Sequence, residues 1–402
     1  MKELALLIFV FPLIGGILGG CQSGTQKATI EEDGIIHLNI DISKNYPREL
    51  INDDSFRIEY VPLETTNDVL VGMSPRLNYI SEKYIVIYES TIGKIYVFDR
   101  SGKIISQFNH KGEGPGEYNV IFHLVVDEKN EELFVFDNFI NSILVYSLTG
   151  EYRRTLKYAA DWLLEGAWDY DDETMLVYDI FGLSRDNYNN TPYMLLSKKD
   201  GNITSTLIHL PIRYNIHVDH GQQTDASGNS YSTGSTITVY NKRYAGHGND
   251  LVIADVSSDT IYRLTKKGDL KPFIVRMPSV HSTDPRLVCT PMIINDKFII
   301  LYITSLDYEA ERRKPGGVAR RYFMYEFETG DIYASDYFRL YTTDVSHQQE
   351  NIIASRLFDI SLLKGLYDRL DDEAKAKDKE FGQLIEKLND DDNPVVRIIF
   401  SH

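Results

Sequence analysis

Short apolar runs alternate with polar turns along most of the chain. The runs are rich in β-branched and aromatic residues, and the same turn pattern ends at Gly102, Gly150, Gly201, Gly268 and Gly330. Runs of this length and composition predict β-strands. A spacing of roughly 50 to 70 residues between these glycines, with about four strands per unit, is typical of the blades of a β-propeller that carries loop insertions.

The strands within one repeat can be assigned individually. Between Gly102 and Gly150 we expect four strands, which together would form one complete blade: 104–108, 122–127, 133–137 and 143–147. The polar segment 127–131 is then a hairpin turn. The blade before it is expected to start with 56–61 and to end with 95–99.

The pattern changes after Gly330. Segments 357–370 and 374–388 predict helices, and the second carries an apolar face at helical spacing. A final apolar strand, 395–400, follows Asn393 and Pro394 and is too apolar to be a free tail. We therefore expect it to close the propeller ring in a blade that also receives N-terminal residues, with 35–40 as candidates. The helices would be an insertion packed outside the propeller or over one channel mouth.

The N-terminus has the pattern of an export signal. Lys2 precedes an apolar run over 4–17, which is too short for a stable membrane span, and the small residues Gly19 and Gly20 stand before Cys21. This arrangement resembles a bacterial lipoprotein signal peptide, in which the cysteine thiol accepts the lipid. Residue 22 is Gln rather than Asp, so the resemblance implies sorting to the outer membrane, and the periplasmic face is favoured over the cell surface.

Composition narrows the class of partner. The formal net charge is −17, and a phosphate backbone needs clustered Lys and Arg, so we expect no nucleic-acid partner. With 43% hydrophobic and 25% charged residues, the chain has the composition of a globular protein. If Cys21 carries lipid, Cys289 has no intramolecular disulfide partner. The stability of the fold must then come from its core.

Several motifs together identify a family. They are Leu63-Glu64-Thr65-Thr66, the Gly-Pro loop 111–118, Asp259-Thr260-Ile261-Tyr262 and Asp392-Asn393-Pro394-Val395. The chain resembles bacterial six-bladed β-propeller lipoproteins related to NHL-repeat proteins. That resemblance implies an all-β fold with a helical insertion at about 357–388 before the closing strand. It divides the chain into a signal peptide (1–20), a flexible linker (21–34) and the propeller (35–402), and it implies no reaction.

The Gly-Pro loop is the first candidate site. Its glycines allow a phosphate-cradling backbone, but no Lys-Ser/Thr pair follows, and Glu113 and Glu117 would repel phosphate. We interpret it as a turn between the first two strands of a blade, with Gly supplying positive φ and Pro stiffness. The alternative is that the loop rims the channel and that Glu113 or Glu117 contacts a ligand.

Two other clusters carry candidate chemistry. Arg312 and Arg313 belong to the one basic patch of this acidic chain and are candidates for anion recognition, although a solvated hairpin tip is the commoner role. The segment 217–220 concentrates metal-ligand residue types, but a strand would not bring both of its imidazoles to one face. We therefore predict no metal site and no catalytic residue, while calcium held by scattered carboxylates stays open.

The sequence as a whole favours a lipid-anchored propeller that binds a small molecule, a glycan or a peptide in the cell envelope without catalysis. Fold alone does not establish function. One alternative is a calcium- or zinc-dependent hydrolase or lyase with its site in the channel. Another is a scaffold that docks a second envelope protein. The sequence contains no nucleophile elbow and no metalloprotease helix motif that would favour an enzyme.

Overall fold

The computed structural model describes residues 26–30, 34–49, 56–72, 74–159, 162–179, 190–213, 217–224, 230–236, 250–284, 286–305, 320–335, 346–347 and 351–401. Within these residues the protein is a β-propeller of six blades in a ring. The first strands contact each other between blades 2 and 3, between blades 5 and 6 and between blades 6 and 1, which places these strands at the centre of the ring.

Blades 1 to 3 are regular four-stranded antiparallel sheets, with strands numbered from the centre outward. Blade 1 consists of Arg76–Ile80, Tyr84–Glu89, Lys94–Asp99 and Ile104–Asn109. Blade 2 consists of His123–Asp127, Glu132–Asp137, Ser142–Ser147 and Tyr152–Lys157. Blade 3 consists of Leu164–Asp169, Thr174–Asp179, Tyr193–Ser197 and Ile203–Thr206.

The other blades include strands from distant parts of the chain. Blade 4 consists of Leu251–Ile253, Thr260–Leu264 and Leu270–Met277, edged by Ile36–Asn39 and Thr29–Ile30. Blade 5 consists of Leu287–Ile294, Phe298–Ser305, Arg320–Glu326 and Asp331–Ser335, edged by Gln26–Lys27 and Arg48–Glu49. Blade 6 consists of Ile352–Phe358, Val395–Ser401 and Phe56–Pro62. Ser346–His347 pairs with the first strand of blade 1, and His217–Thr224 forms a hairpin with Ser230–Thr236.

The core lies between the blades. In the second strand of blade 2, Leu133 and Val135 pack against blade 1, while Phe134 and Phe136 pack against blade 3. All four side chains are fully buried. This alternation is the two-residue period of a strand with both faces covered, which explains why these strands read as continuous apolar runs.

In blades 1 to 5, each recurring glycine lies in the turn between the last two strands that the blade takes from its own stretch of chain. Gly102, Gly150, Gly201, Gly268 and Gly330 have φ between +74° and +90°, a region that glycine enters without steric cost. The blade predicted between Gly102 and Gly150 is therefore wrong by one strand. Ile104–Asn109 is the outer strand of blade 1, and Phe56–Pro62 belongs to blade 6. The repeat was identified, but its boundary was not, because the glycine turn lies inside a blade.

Two of these glycines form a matched pair for mutation. A Cβ on Gly102 would lie 2.1 Å from the carbonyl oxygen of Pro62, whereas a Cβ on Gly268 would meet nothing within 4 Å, and φ is +88° at both. We expect Gly268→Ala to cost about 1–2 kcal/mol, the penalty for a left-handed residue. Gly102→Ala should cost about 1–3 kcal/mol more, because the backbone of blade 6 must move. Urea unfolding of both variants measures the difference, and equal losses would contradict the close approach.

The ring closes in blade 6, where the last strand of the chain meets a strand from its first 62 residues. Val395–Ser401 is the central strand and pairs antiparallel with Ile352–Phe358 on one side and with Phe56–Pro62 on the other. The prediction that the last strand pairs with N-terminal residues is confirmed, but the choice of 35–40 is wrong. Ile36–Asn39 instead pairs parallel with Leu270–Met277, because blades 4 and 5 bury Ile36 and Leu38 in their shared core.

Among the described residues, helices precede the closing strand as predicted, but there are three of them instead of the two expected over 357–370 and 374–388, and residues 357 and 358 still belong to a strand. The helices are α1 (Ile360–Asp368), α2 (Asp372–Lys377) and α3 (Lys379–Lys387). They pack on blade 6, where the ring of Phe381 stacks on that of Tyr60 at 4.3 Å. Within the described residues, no helix is long and apolar enough to cross a membrane.

Candidate functional site

A polar cavity of about 870 Å³ opens on one face of the propeller. Its walls are the turns between the first and second strands of blades 1, 2 and 3, together with Lys198 and Lys266 from the glycine turns of blades 3 and 4. Turns of these two kinds lie on the same side of each blade, which we call the cavity face. The lining side chains are Tyr79, Ser81, Glu82, Lys83, Asp127, Glu128, Lys129, Asp169, Tyr170, Asp171, Asp172, Glu173, Lys198 and Lys266.

The buried ammonium of Lys198 forms the floor of the cavity. Its Nζ lies 2.7 Å from Asp127 Oδ2 and 2.6 Å from Asp169 Oδ1, and it donates to the carbonyl oxygen of Asp171 at 2.6 Å. An ammonium has three donors, so these three oxygens satisfy it. Only 6% of the Lys198 side chain and 4% of that of Asp127 are exposed. Lys198 therefore joins blade 3 to blade 2 at the base of the cavity.

The pKa values of this group follow from competing effects. Desolvation alone would lower the pKa of Lys198, but the charges of Asp169 and Asp127 outweigh it and raise the pKa. Desolvation would raise the pKa of Asp127, but hydrogen bonds from Lys198 and Asn130 outweigh it and lower the pKa. Both groups are therefore charged near neutral pH, and Lys198 is not available as a base or a nucleophile.

A second layer of ion pairs fixes the floor from outside. Arg154 donates to both carboxylate oxygens of Glu132, at 2.6 and 2.7 Å, and to the carbonyl oxygen of Lys198 at 2.9 Å. Arg153 donates to Glu132 and to the carbonyl oxygen of Asn130. Because Asn130 also donates to Asp127, the turn of blade 2 is held at two points. The base of the cavity is thus rigid before any ligand arrives.

At the rim the side chains of Lys83, Lys129 and Asp172 are exposed and that of Glu128 is partly exposed, whereas Tyr79 is buried and holds Glu128 from within the protein. Tyr79 Oη donates to Glu128 Oε2 at 2.9 Å, and Lys83 Nζ lies 3.4 Å from the other carboxylate oxygen of Glu128. Burial, followed by the charge of Glu128, raises the pKa of Tyr79 above its usual range, so this phenol stays protonated. Lys129 pairs with Asp172 across blades 2 and 3, and both side chains are about two-thirds exposed.

The ionisable groups of the floor are paired with one another, and Tyr79 is a hydrogen-bond donor near neutral pH. No group of three or more His, Cys, Asp or Glu side chains among the described residues could hold a metal ion. Two carboxylates of the floor, those of Asp127 and Asp169, hold the ammonium of Lys198 between them, in the position that a metal cation would take.

A histidine with a lowered pKa lies at the end of blade 2 that is opposite the cavity. His123 begins the first strand of blade 2, at the end opposite Asp127, and desolvation followed by the charge of Arg76 lowers its pKa to about 4. The neutral imidazole is therefore the form that the folded protein favours.

This depressed pKa predicts a pH dependence of stability. A histidine in the unfolded chain titrates near 6.5. The contribution of neutral His123 to the free energy of unfolding is therefore complete above that value and is lost as the pH falls from about 6.5 towards 4. NMR titration should give a pKa near 4 for His123, and His123→Gln should flatten the dependence of stability on pH in this window. Arg76→Gln should raise the pKa only in part, because desolvation is the larger cause. A normal pKa in the wild-type protein would refute the buried environment.

The loop that contains Glu113 and Glu117 connects two blades instead of two strands of one blade. It lies between Ile104–Asn109 and His123–Asp127, so its predicted position within a blade is wrong. Glu117 accepts a hydrogen bond from the amide of Gly114 at 2.7 Å, and Tyr146 donates to the carbonyl oxygen of Gly116. Glu113 is exposed. Glu117 thus shapes its own loop against the outer strands of blade 2, and the ligand contact stays a prediction.

Three of the predicted site residues, together with the signal peptide, lie outside the described residues. They are Cys21, Arg312 and Arg313. The segment 217–220 lies in the strand His217–Thr224. Lipidation of Cys21 and anion binding by the arginines therefore remain predictions.

The cavity residues were missed, although several of them lie in segments that were predicted to be turns. The acidic turn 127–131 was predicted correctly, and Lys198 stands in the glycine turn that ends at Gly201. The available signal was the recurrence of charge in equivalent turns of consecutive blades. This recurrence of charge can be recognised only when the boundaries between the blades are assigned correctly.

Comparison with known proteins agrees with the fold. A family model described as "Domain of unknown function (DUF4934)" matches residues 37–400, and no curated protein matches the chain. A protein from Bacteroides fragilis NCTC 9343, described as exported, shares 13% identity over 92% of this chain and 99% of its own, with a TM-score of 0.58. At this identity the likeness shows the fold alone.

Two further structures are more distant. A member of the DUF4221 family from Bacteroides vulgatus shares 11% identity over 89% of this chain and all of its own, with a TM-score of 0.44. A catalytically inactive virginiamycin B lyase from Staphylococcus aureus shares 12% identity over 86% of this chain and all of its own, with a TM-score of 0.39. These scores are too low to carry an argument about function.

Proposed function

We propose that this chain, which belongs to the DUF4934 family, is a lipid-anchored envelope protein that binds a polar ligand in the cavity of blades 1 to 3 without transforming it. The observation that carries the proposal is the lining of the cavity, which contains carboxylates, lysines, tyrosines and one serine but no aliphatic side chain. Such walls offer hydrogen-bond donors and acceptors at fixed positions, which suits a polar ligand.

The chemistry of the rim indicates the class of ligand. Carboxylates accept hydrogen bonds from hydroxyl, amide and ammonium groups, while the lysines donate to carbonyl and carboxylate groups. A glycan or a short peptide presents both kinds of group, and a volume of about 870 Å³ is within the usual range for ligand sites. Because the floor is already rigid, binding requires little reorganisation of the protein.

The location rests on the N-terminal sequence. The apolar run that ends in Gly19, Gly20 and Cys21 supports export and acylation at Cys21, and Gln22 supports the outer membrane. The likeness to a propeller described as exported agrees with this location.

Ligand binding can be tested with the chain from residue 22 onward. Isothermal titration with neutral, acidic and amino-sugar oligosaccharides and with short peptides of each net charge should give binders among these probes. For each binder, Glu128→Gln should weaken the affinity about tenfold, since one hydrogen bond to a charged group contributes 1.5–3 kcal/mol. Addition of EDTA should leave the affinity unchanged, because the proposal contains no metal.

Glu113→Gln serves as the matched control, since it changes an exposed carboxylate outside the cavity lining. We expect it to leave the affinity unchanged. If Glu113→Gln weakened binding and Glu128→Gln did not, the ligand site would lie at the Gly-Pro loop and the cavity proposal would be wrong. If none of the probes bound, the binding function would fall and the scaffold alternative would replace it.

A further inference from the structure

The lining of the cavity is negatively charged. It contains seven carboxylates and four lysines, so its carboxylates outnumber its ammonium groups by three. The two tyrosines of the lining lie in the same potential. Burial is the main cause of the raised pKa of Tyr79 and of Tyr170, and the charges of Glu128 and Asp171 raise these two pKa values further. The cavity therefore attracts a cation and repels an anion.

Three of the four lysines already pair with carboxylates of the lining. Lys83 of blade 1 lies 3.4 Å from Glu128 of blade 2, and Lys129 of blade 2 pairs in the same way with Asp172 of blade 3. The buried lysine of the floor is held between its two aspartates. Lys266 is the one lining lysine that forms no ion pair with any described residue. The cavity thus has little free positive charge for an anionic ligand.

The ion pairs at the rim open more easily than the pair at the floor. The side chain of Lys83 is 68% exposed, against 6% for that of Lys198, and an exposed ion pair contributes little to stability. Glu128 is only 23% exposed, and the phenol of Tyr79 fixes one of its carboxylate oxygens. The other oxygen faces the flexible side chain of Lys83. Another cation can therefore replace Lys83 without moving the carboxylate.

From these pairs we infer that the ligand of the cavity is a basic peptide whose lysine or arginine side chain replaces Lys83 at Glu128. A second basic side chain can replace Lys129 at Asp172, since the two pairs are built alike from consecutive blades. The inference deepens the proposed function and rests on it. A peptide is favoured over an amino sugar because both tyrosines of the lining are buried, at 1% and 7% exposure, so neither offers an open ring face to a sugar.

Isothermal titration of the chain from residue 22 onward tests the charge of the ligand. The probes are a blocked pentapeptide with two lysines, the same peptide with both lysines acetylated, a pentapeptide with two glutamates instead, and an amino-sugar oligosaccharide. We expect the lysine peptide to bind and the glutamate peptide not to bind. Acetylation should weaken binding at least about tenfold, because it removes both charges. The affinity of the lysine peptide should also fall as salt rises from about 50 to about 500 mM, since salt screens charges at the rim.

The two partners of the rim pair should affect this affinity in opposite directions. Lys83→Gln should tighten binding of the lysine peptide about threefold, because it removes the ammonium that competes for the carboxylate. Glu128→Gln should weaken it about tenfold. The matched control is Lys267→Gln, which removes the same charge from the exposed glycine turn of blade 4, outside the cavity lining. It should change the affinity by less than about twofold, because its charge is solvated and screened.

Tighter binding of the glutamate peptide, or an unchanged or weaker affinity of the lysine peptide for Lys83→Gln, would overturn the inference. Binding of the amino-sugar oligosaccharide without the lysine peptide would overturn the assignment to a peptide. If neutral or acidic oligosaccharides bound while the lysine peptide did not, this inference would be wrong and the proposed function would stand. If no probe of any charge bound, the proposed function would fall as well, so the two failures are distinguishable.

Discussion

Deletion of residues 393–402 should abolish folding of the whole propeller. The segment supplies the central strand of blade 6, in which Val395, Val396, Ile398, Ile399 and Phe400 are at most 1% exposed. Burial of each of these side chains contributes roughly 1.5–3 kcal/mol. Their sum is comparable to the entire stability of a typical domain, about 5–15 kcal/mol. Circular dichroism and size exclusion should show an unfolded or aggregated product, and a monomer with an unchanged melting temperature would refute ring closure.

A conservative variant tests the same closure without removing a strand. The side chain of Asn393 donates to the carbonyl oxygens of Glu64 and Val69, at 2.6 and 2.8 Å, and accepts from the amide of Val71 at 2.8 Å. Asn393→Asp keeps the shape but sets a carboxylate oxygen against two carbonyl oxygens. We expect it to destabilise the protein more than Asn393→Ala, which only leaves partners unsatisfied at a cost of about 1–3 kcal/mol. The reverse order would show that the hydrogen bonds are not the source of the stability.

Local pattern was sufficient to predict the fold, because a propeller is built from local hairpins. Apolar runs, glycine turns and the closing strand could each be identified without knowing their neighbours in space. The pairing partner of the closing strand could not, since 35–40 and 56–62 are both apolar enough to serve. The choice between them depends on which core has room for Ile36 and Leu38, which is a property of blades 4 and 5 together.

A further signal was present but could not be interpreted without the structure. Glu89, Asp137 and Asp179 end the second strands of blades 1, 2 and 3, and all three are buried. Each accepts a hydrogen bond from the segment that enters the same blade, from the amides of Gly72, Asn119 and Leu163. An acidic residue after an apolar strand resembles the start of a solvated turn, so its structural role stayed hidden.

The cavity was harder to predict than the fold, because its residues come from four blades. Asp127, Asp169 and Lys198 are each ordinary turn residues in the sequence, and only the curvature of the ring brings them together. The candidates chosen from sequence were instead residues in conspicuous local motifs, such as Glu113 and Glu117. A motif of this kind determines the backbone geometry of its own segment. Glu117, for example, accepts a hydrogen bond from the amide of Gly114 in the same loop.

Loss of the buried ammonium at the cavity floor should also strongly destabilise the protein. Lys198→Met should destabilise the protein by about 3–5 kcal/mol, because it leaves the carboxylate of Asp127 buried without its cation. Lys129→Met is the matched control, since it removes a lysine from an ion pair in which both side chains are about two-thirds exposed. It should cost at most about 1 kcal/mol. Similar losses for the two variants would contradict the buried pair.

The pH dependence of the destabilisation caused by Lys198→Met shows whether the loss comes from the missing ion pair or from poorer packing. In the wild-type protein the lowered pKa of Asp127 contributes stability above the unfolded value of 3.8, which is lost as the pH falls through the folded value. Without Lys198, desolvation should instead raise the pKa of Asp127 above 3.8. Protonation then favours the folded variant, so the deficit of Lys198→Met should shrink as the pH falls from 8 towards 4. Chemical denaturation of both proteins between pH 8 and pH 4 measures this difference in the free energy of unfolding. If the difference did not change with pH, the loss would come from packing, and the ion pair would not be what stabilises the cavity floor.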